Sequence, residues 1–388
     1  MKNTTKKTTA LLTAAMLLIC AGCSNGNAQT TTAAATTTAA TTTTATTEDT
    51  EAPETKAPEA ESDDSDKVVD ADTGEEYEET DVESDMPEKM NIAALKGPTA
   101  MGLVWDMNET DVFNEQVSAS ENGSIYNYSI YAAPDELTPL IIKGEVDIAC
   151  IPANLASVLY NKTEGEIEVL AINTLGVLYI VENGGETVNN ITDLKGKTIY
   201  ASGQGSTPEY ALRYLLAQNG IADDVNIEWK TEHAECLTAL TENPGSVALL
   251  PQPFVTTAMM KNEGIRVAID LNDAWDALGT GSSLITGVCV GRKEFINAYP
   301  DAVNEFLDVY KHSVEFVNSN TDDAAALVGK YDIVPEAVAK KALPACNITF
   351  ISGEEMKAKL SGYLQVLFDS DPKSVGGKLP ADDFYYVG

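Results

Sequence analysis

From about residue 90 onward, short β-branched runs alternate with amphipathic stretches, which predicts an α/β architecture with largely parallel strands. Met90 to Leu95 reads as a strand that Gly97-Pro98-Thr99-Ala100-Met101-Gly102 turns into a helix beginning near Thr99. Tyr126 to Ala132 is a second strand, followed by a helix opened by Pro134-Asp135-Glu136. Val146 to Ile151 is a third, leading through Pro152-Ala153-Asn154 into helical Leu155 to Leu159. Val169 to Glu182 is apolar without helical spacing and is broken at Asn173-Thr174 and at Gly176. Lys197 to Ala201 is a strand ending in Ser202-Gly203-Gln204-Gly205-Ser206-Thr207-Pro208-Glu209-Tyr210. There a hydroxyl N-cap, a first-turn Pro and a following Glu predict a helix to Asn219, closed by Gly220. Val225 to Trp229 and Val247 to Leu250 are further strands, and Leu284 to Gly291 carries the chain back. Helical spacing then runs through Phe306 to Val317, Asp322 to Lys330, Pro335 to Leu343 and Glu354 to Phe368. No repeat with a solenoid period is visible.

The segment before residue 89 has another character. Lys2, Lys6 and Lys7 precede an apolar run, Ala10 to Ile19, too short to span a bilayer, so residues 1–22 read as a signal peptide. Cys20-Ala21-Gly22-Cys23 resembles a lipobox, departing from it at Cys20, where Leu is usual. Cys23 is therefore the expected lipidation site, and acyl chains there the expected membrane attachment. Residues 23–88 continue as a Thr/Ala tract and then an acidic stretch, too poor in large apolar side chains to offset chain entropy, and are expected to be a disordered tether.

Net charge is -35, and about half of it lies between Glu48 and Glu88, where 19 acids face 2 bases. That balance excludes nucleic acid as a partner, since a basic footprint is required. Four cysteines remain once residues 1–23 are set aside, Cys150, Cys236, Cys289 and Cys346; three disulfide connectivities and free buried thiols are all open.

The order of strand units, a crossing, more strand units, a second crossing and then helices is similar to a two-lobed type II periplasmic-binding-protein-like fold. Five segments carry a closer resemblance: Ala94-Leu95-Lys96-Gly97-Pro98-Thr99, Gly144-Glu145-Val146-Asp147-Ile148-Ala149, Asp193-Leu194-Lys195-Gly196-Lys197, Gly205-Ser206-Thr207-Pro208-Glu209-Tyr210 and Leu250-Pro251-Gln252-Pro253-Phe254. In this order and spacing, residues 89–388 resemble the substrate-binding components of the nitrate, sulfonate, taurine and thiamine-pyrimidine-precursor class of ABC importers. The resemblance implies a first lobe at about 90–175 plus 290–388, a second at about 180–284 and a hinge at the crossings. It further implies a monomer that captures a small molecule, delivers it to an ABC permease and its ATPase, and performs no chemistry on it. A tethered ligand sensor or adhesin using the same clamp is the alternative.

In open α/β sheets ligands sit beyond the carboxyl ends of strands, where helix N-termini offer unpaired donors. Thr99 and Met101 in the first turn, Asn154 after the third strand, and Gln204, Ser206 and Thr207 at the capped helix are so placed. Asn173 and Thr174 lie at the first crossing, and Gln252 at a Pro-rich strand end beside Phe254. Capping, turn formation or core packing accounts for the same residues equally well. Trp105 is a candidate for stacking in the cleft, and Phe384, Tyr385 and Tyr386 are expected to pack onto the first lobe. Lys96 is a base near the first loop, Arg213 is expected to pair with a surface acid, and Glu209 disfavours an anion. The expected ligand is therefore a neutral or zwitterionic small organic molecule.

Enzyme readings lack their parts. The two histidines, His233 and His312, sit in no nucleophile, phosphate-loop or metalloprotease motif. His233, Glu235 and Cys236 lack a second ligand group, and read as an exposed helical face rather than a metal site. Gly203 and Gly205 begin a dinucleotide fingerprint that Pro208 interrupts. No catalytic residue, metal or cofactor is expected.

Overall fold

The computed structural model describes residues 86–117 and 123–387, and the strands β1 (Lys67–Val69) and β2 (Glu76–Glu78). The chain divides into two units, Met1–Thr80 and Asp81–Gly388. In the first, β1 and β2 pair antiparallel with Val68 opposite Tyr77, a short ladder inside the stretch expected to lack regular structure. Cys23 and the expected signal peptide lie outside the described residues. Among the described residues no helix is long and apolar enough to cross a membrane.

The second unit opens with β3 (Met90–Leu95), α1 (Pro98–Met101), α2 (Val104–Gln116), β4 (Tyr126–Tyr131), α3 (Pro134–Lys143), β5 (Ile148–Pro152), α4 (Ala153–Lys162) and β6 (Ile167–Leu175). It crosses into β7 (Leu178–Asn183), β8 (Thr198–Ser202), α5 (Thr207–Gln218), β9 (Asn226–Lys230), α6 (His233–Glu242), β10 (Val247–Pro251), α7 (Phe254–Lys261), β11 (Ile265–Asp270) and α8 (Leu271–Asp276). It returns through β12 (Ile285–Arg292), α9 (Lys293–Ala298), α10 (Pro300–Ser319), α11 (Thr321–Lys330), α12 (Glu336–Ala342), β13 (Ile348–Ile351) and α13 (Gly353–Ser370).

These strands form two sheets, ordered β13-β6-β12-β5-β3-β4 and β11-β7-β10-β8-β9. In each, three parallel strands are joined to a fourth through an inserted antiparallel strand that belongs to a crossing: β12 between β5 and β6, β7 between β10 and β11. This exchange gives the chain the two-lobed periplasmic binding protein fold.

Both faces of each sheet are covered, which is why the strands read as continuous apolar runs. Ile92 and Ala94 of β3 enter one cluster with Phe306 and Tyr310 of α10, while Ala93 and Leu95 enter the opposite one. In the second sheet Tyr179, Val181, Ala248 and Leu250 face Cys236 and Leu240 of α6, and Ile180 and Leu249 face the other way. The cluster containing Ala93 and Leu95 runs from the first sheet into the second through Met356, Leu360, Tyr363, Leu364 and Leu367 of α13. Tyr363 lies 5.8 Å from the ring of Trp275, itself 4.5 Å from Tyr214 of α5, so α13 packs against both lobes. The C-terminal aromatics close onto the first lobe as their sequence predicts: Phe384 meets Tyr160 at 5.1 Å, and the Tyr386 N–H donates to the Val169 carbonyl at 2.9 Å.

Each lobe buries a carboxylate. Asp106 on α2, 2 % exposed, accepts from the Tyr128 hydroxyl, and its pKa is pushed up from 3.8 to about 6, chiefly by burial. Glu182 on β7, 0 % exposed, is also penalised by burial. There the Thr187 hydroxyl, Arg266 Nη2 at 2.6 Å and the Thr187 and Val188 amides outweigh the penalty and hold it below the ordinary carboxylate value.

Candidate functional site

The strand ends of the first lobe form a closed polar floor. The Thr99 hydroxyl donates to the Leu95 carbonyl (2.9 Å), Asn173 Nδ2 to the Thr99 carbonyl (3.3 Å), and the Thr174 hydroxyl to Asn173 Oδ1 (3.1 Å). All three residues are buried. Gly287 of β12 lies over them, and a Cβ there would sit 2.5 Å from Asn173 Oδ1 and 2.5 Å from Thr99 Cγ2, so only glycine allows this approach. Beside it the Thr286 hydroxyl is buried with no protein partner.

The strand ends of the second lobe surround open space. A cavity of about 420 Å³ lies where β8, β9 and β10 meet the N-termini of α5, α6 and α7, lined by Ser202, Ser206, Thr231, His233 and Phe254 among others. His233 Nδ1 and the Ser202 hydroxyl share a hydrogen bond of 2.5 Å, and the imidazole lies 4.9 Å from the Phe254 ring. Burial holds the His233 pKa below its ordinary value, so a neutral imidazole faces the cavity with one nitrogen committed to Ser202. Phe254 is 37 % exposed, an aromatic face offered to solvent. The lining carries no Lys or Arg, and Glu232 is its one acid.

The structure brings some expected site residues together and disperses others. Thr99, Asn173 and Thr174 meet in the floor. Ser206 lines the cavity, with Gln204 exposed on the loop before it and Thr207 accepting from the Tyr363 hydroxyl at 3.5 Å. Ser206 occupies the N-cap position of α5, but its hydroxyl donates to the Gly203 carbonyl (2.7 Å) instead of capping. Asn154, half-buried, donates to the Ser374 carbonyl at 3.4 Å. Met101 is wholly enclosed in the apolar cluster of Ala100, Leu103 and Val104. Gln252 is buried and caps α7, its Oε1 accepting from the Thr256 hydroxyl (2.9 Å) and amide (3.3 Å).

Several electrostatic expectations change. Glu209 turns back to accept from the Gly205 N–H (2.7 Å) and pairs with Arg213 (2.7 Å), so it is already neutralised and does not add a bare charge to the loop. Lys96 is engaged by Asp332 at 2.7 Å. Trp105 does not stack in the cleft; it packs on α10 against His312 (5.3 Å) and Phe316 (6.2 Å), because its position on α2 points to that helix.

His233 is the cleft residue that sequence reasoning missed, having been placed on an exposed helical face. A signal was present: His233 opens a helix three residues after β9 ends, the placement that singles out Ser206 and Thr207 after β8.

The Tyr179 hydroxyl donates to the Ala345 carbonyl at 2.7 Å, and Tyr210 donates to Asp371 at 3.4 Å, so the lobes are joined beside the crossings as well as through α13.

Solved structures share this fold. An ABC transporter protein from Parabacteroides distasonis is 23 % identical, with 77 % of this chain and 99 % of that one covered at a TM-score of 0.63. The periplasmic aliphatic sulphonate binding protein SsuA of Escherichia coli is 16 % identical over 78 % of this chain and 92 % of its own, at a TM-score of 0.62. The alkanesulfonate-binding protein SsuA of Xanthomonas axonopodis pv. citri, bound to MOPS, is 14 % identical over 78 % and 96 %, at a TM-score of 0.53. A search of curated protein sequences gives no match. The family model described as NMT1/THI5 like matches residues 127–324, from β4 through both crossings into α11, and the chain belongs to that family.

Proposed function

We propose that this chain is the extracytoplasmic solute-binding component of an ABC importer, which holds a small organic molecule between its lobes and hands it to a permease and its ATPase. The observation that carries the reading is the pairing of two lobes with exchanged strands and a cation-free, aromatic-edged cavity at the strand ends of one of them. Neutral His233, the Phe254 face and the hydroxyls of Ser202, Ser206 and Thr231 favour a neutral or zwitterionic ligand with a flat apolar part and a few hydrogen-bonding groups. The likeness to sulfonate-binding proteins points to a sulfonate; against that, the cavity offers no side-chain cation. Thr207, Gln204 and Asn154 complete the contacts, with Thr99, Asn173, Thr174 and Thr286 as the facing floor. Met101 and Gln252 support them by packing and capping.

Function then follows from population shift: a ligand touching both lobes binds the closed arrangement better and raises its share, and the permease recognises that arrangement. Acylation of Cys23 would hold this monomer at the outer face of the cell membrane, a proposal that rests on residues 1–23 of the sequence. A thermal-shift screen across sulfonates, nitrate, thiamine precursors, riboflavin, amino acids and purines tests the reading. A ligand bound only by the native state raises the Tm well above its Kd, and one chemical class is expected to do so. Flat melting curves with every class, and nothing small released from the purified protein on denaturation, would count against a solute-binding role.

A further inference from the structure

Cys150 on β5 and Cys289 on β12 are register partners in an antiparallel pair. The Arg292 N–H donates to the Asp147 carbonyl at 3.0 Å, so that carbonyl points to β12 just beyond the ladder, while the Asp147 N–H goes to the Asn91 carbonyl of β3. Counting inward along an unshifted register, alternation places Cys150 and Cys289 at a non-hydrogen-bonded position. Opposed Cα atoms approach to about 4.5 Å at such positions, inside the range of about 4.4–6.8 Å that a disulfide spans. Both thiols are wholly buried and belong to the same cluster on one face of the sheet. Cys150 Sγ donates to the Tyr310 hydroxyl at 3.7 Å. Cys236, on α6 of the second lobe, has no such strand partner.

We infer that Cys150 and Cys289 are a disulfide site, a cross-strand bridge that fastens to β5 the returning strand β12, whose Gly287 lies over the floor residue Asn173. The step is an exchange with an exogenous disulfide, either a small molecule or a protein oxidant. Both S–H bonds break, the Cys150–Cys289 S–S bond forms, and the two electrons and two protons convert the oxidant into two thiols. Because both sulfurs are enclosed in the finished sheet, exchange takes place as β12 docks on β5. An oxidising extracytoplasmic setting favours it, but the inference stands on the register and not on the proposed transport role.

The full chain, unfolded with reductant and refolded in mixed oxidised and reduced glutathione, is alkylated under denaturing conditions and digested without reduction. A cross-linked peptide pair joining Cys150 to Cys289, lost on reduction, is expected, together with a Tm several degrees lower when reductant is added. Alkylation of both residues, or a bridge from either to another cysteine, would overturn the inference. A Cys289→Ala variant must lose the reductant-sensitive part of the Tm; if the variant keeps it, some other bridge is responsible and the assignment is wrong.

Discussion

Two buried carboxylates, one in each lobe, are treated in opposite ways. Asp106 in the first has a tyrosine hydroxyl but no cation, and its pKa rises to about 6 under burial. Glu182 in the second is also closed to solvent but lies nearer the surface beside the part-exposed Arg266, which with Thr187 and two amides more than offsets burial. The lesson is that closure to solvent alone does not set protonation: depth of burial and the donors that meet the carboxylate set it together. The Glu182 site can therefore keep a permanent charge, whereas the Asp106 site can take up a proton.

The sharpest break in that contrast is Arg266→Ala, which strands the Glu182 charge. Leaving one partner of a buried ion pair costs about 3–5 kcal/mol, so urea unfolding at neutral pH should show a loss of that size, smaller in acid where Glu182 can protonate. An unchanged midpoint would mean that Thr187 and the amides suffice. Next comes Asp106→Asn. Native Asp106 binds its proton more tightly than the unfolded chain, so its contribution to stability falls as pH rises from about 4 to about 6 and the full penalty persists above that. The variant should be more stable at pH 7 by up to about 3 kcal/mol and show no gain at pH 4, read from Tm at both values. Equal stabilisation at both would place the effect in packing. Smallest for stability is Phe254→Ala, at an exposed position where the change should stay near about 0.5 kcal/mol. It should nevertheless weaken binding of the ligand found in the screen by about tenfold or more by calorimetry, whereas intact affinity would move the ligand away from this wall.

Much of the fold was legible because both sheet faces are buried. β3 has the predicted ends, Met90 and Leu95, and α5 starts at Thr207, just after the expected cap. β11 and α8 were not resolved in the sequence, since a register shift between Val267 and Ile269 breaks the period-two pattern of Ile265–Asp270, leaving only Ile265 and Ile269 buried, and the strand runs directly into the helix at Asp270. The site was less legible for a physical reason. Residue type and position at a strand end are shared by a ligand contact, a cap and a floor brace, and only the direction of the hydrogen bond separates them. Gln252 bonds forward to Thr256, Ser206 back to Gly203, and Asn173 sideways to Thr99, none of which spacing reveals. Glu209 could be judged a repelling charge only while its bond to the Gly205 N–H was unseen.

The insertion of β12 beside β6 also bears on how the chain folds. Leu175 and Ile285 are register partners, yet the whole second sheet is strung between them. Zipping that pair directly from the unfolded chain means closing a loop of roughly a hundred residues before any contact rewards it, a slow step for a topology rich in distant pairings. If the second lobe condenses first, β7 and β11 already lie side by side and the two crossings emerge close together, so the remaining search is short. The part of the molecule that carries the open cavity then doubles as the template on which the first lobe completes its own sheet.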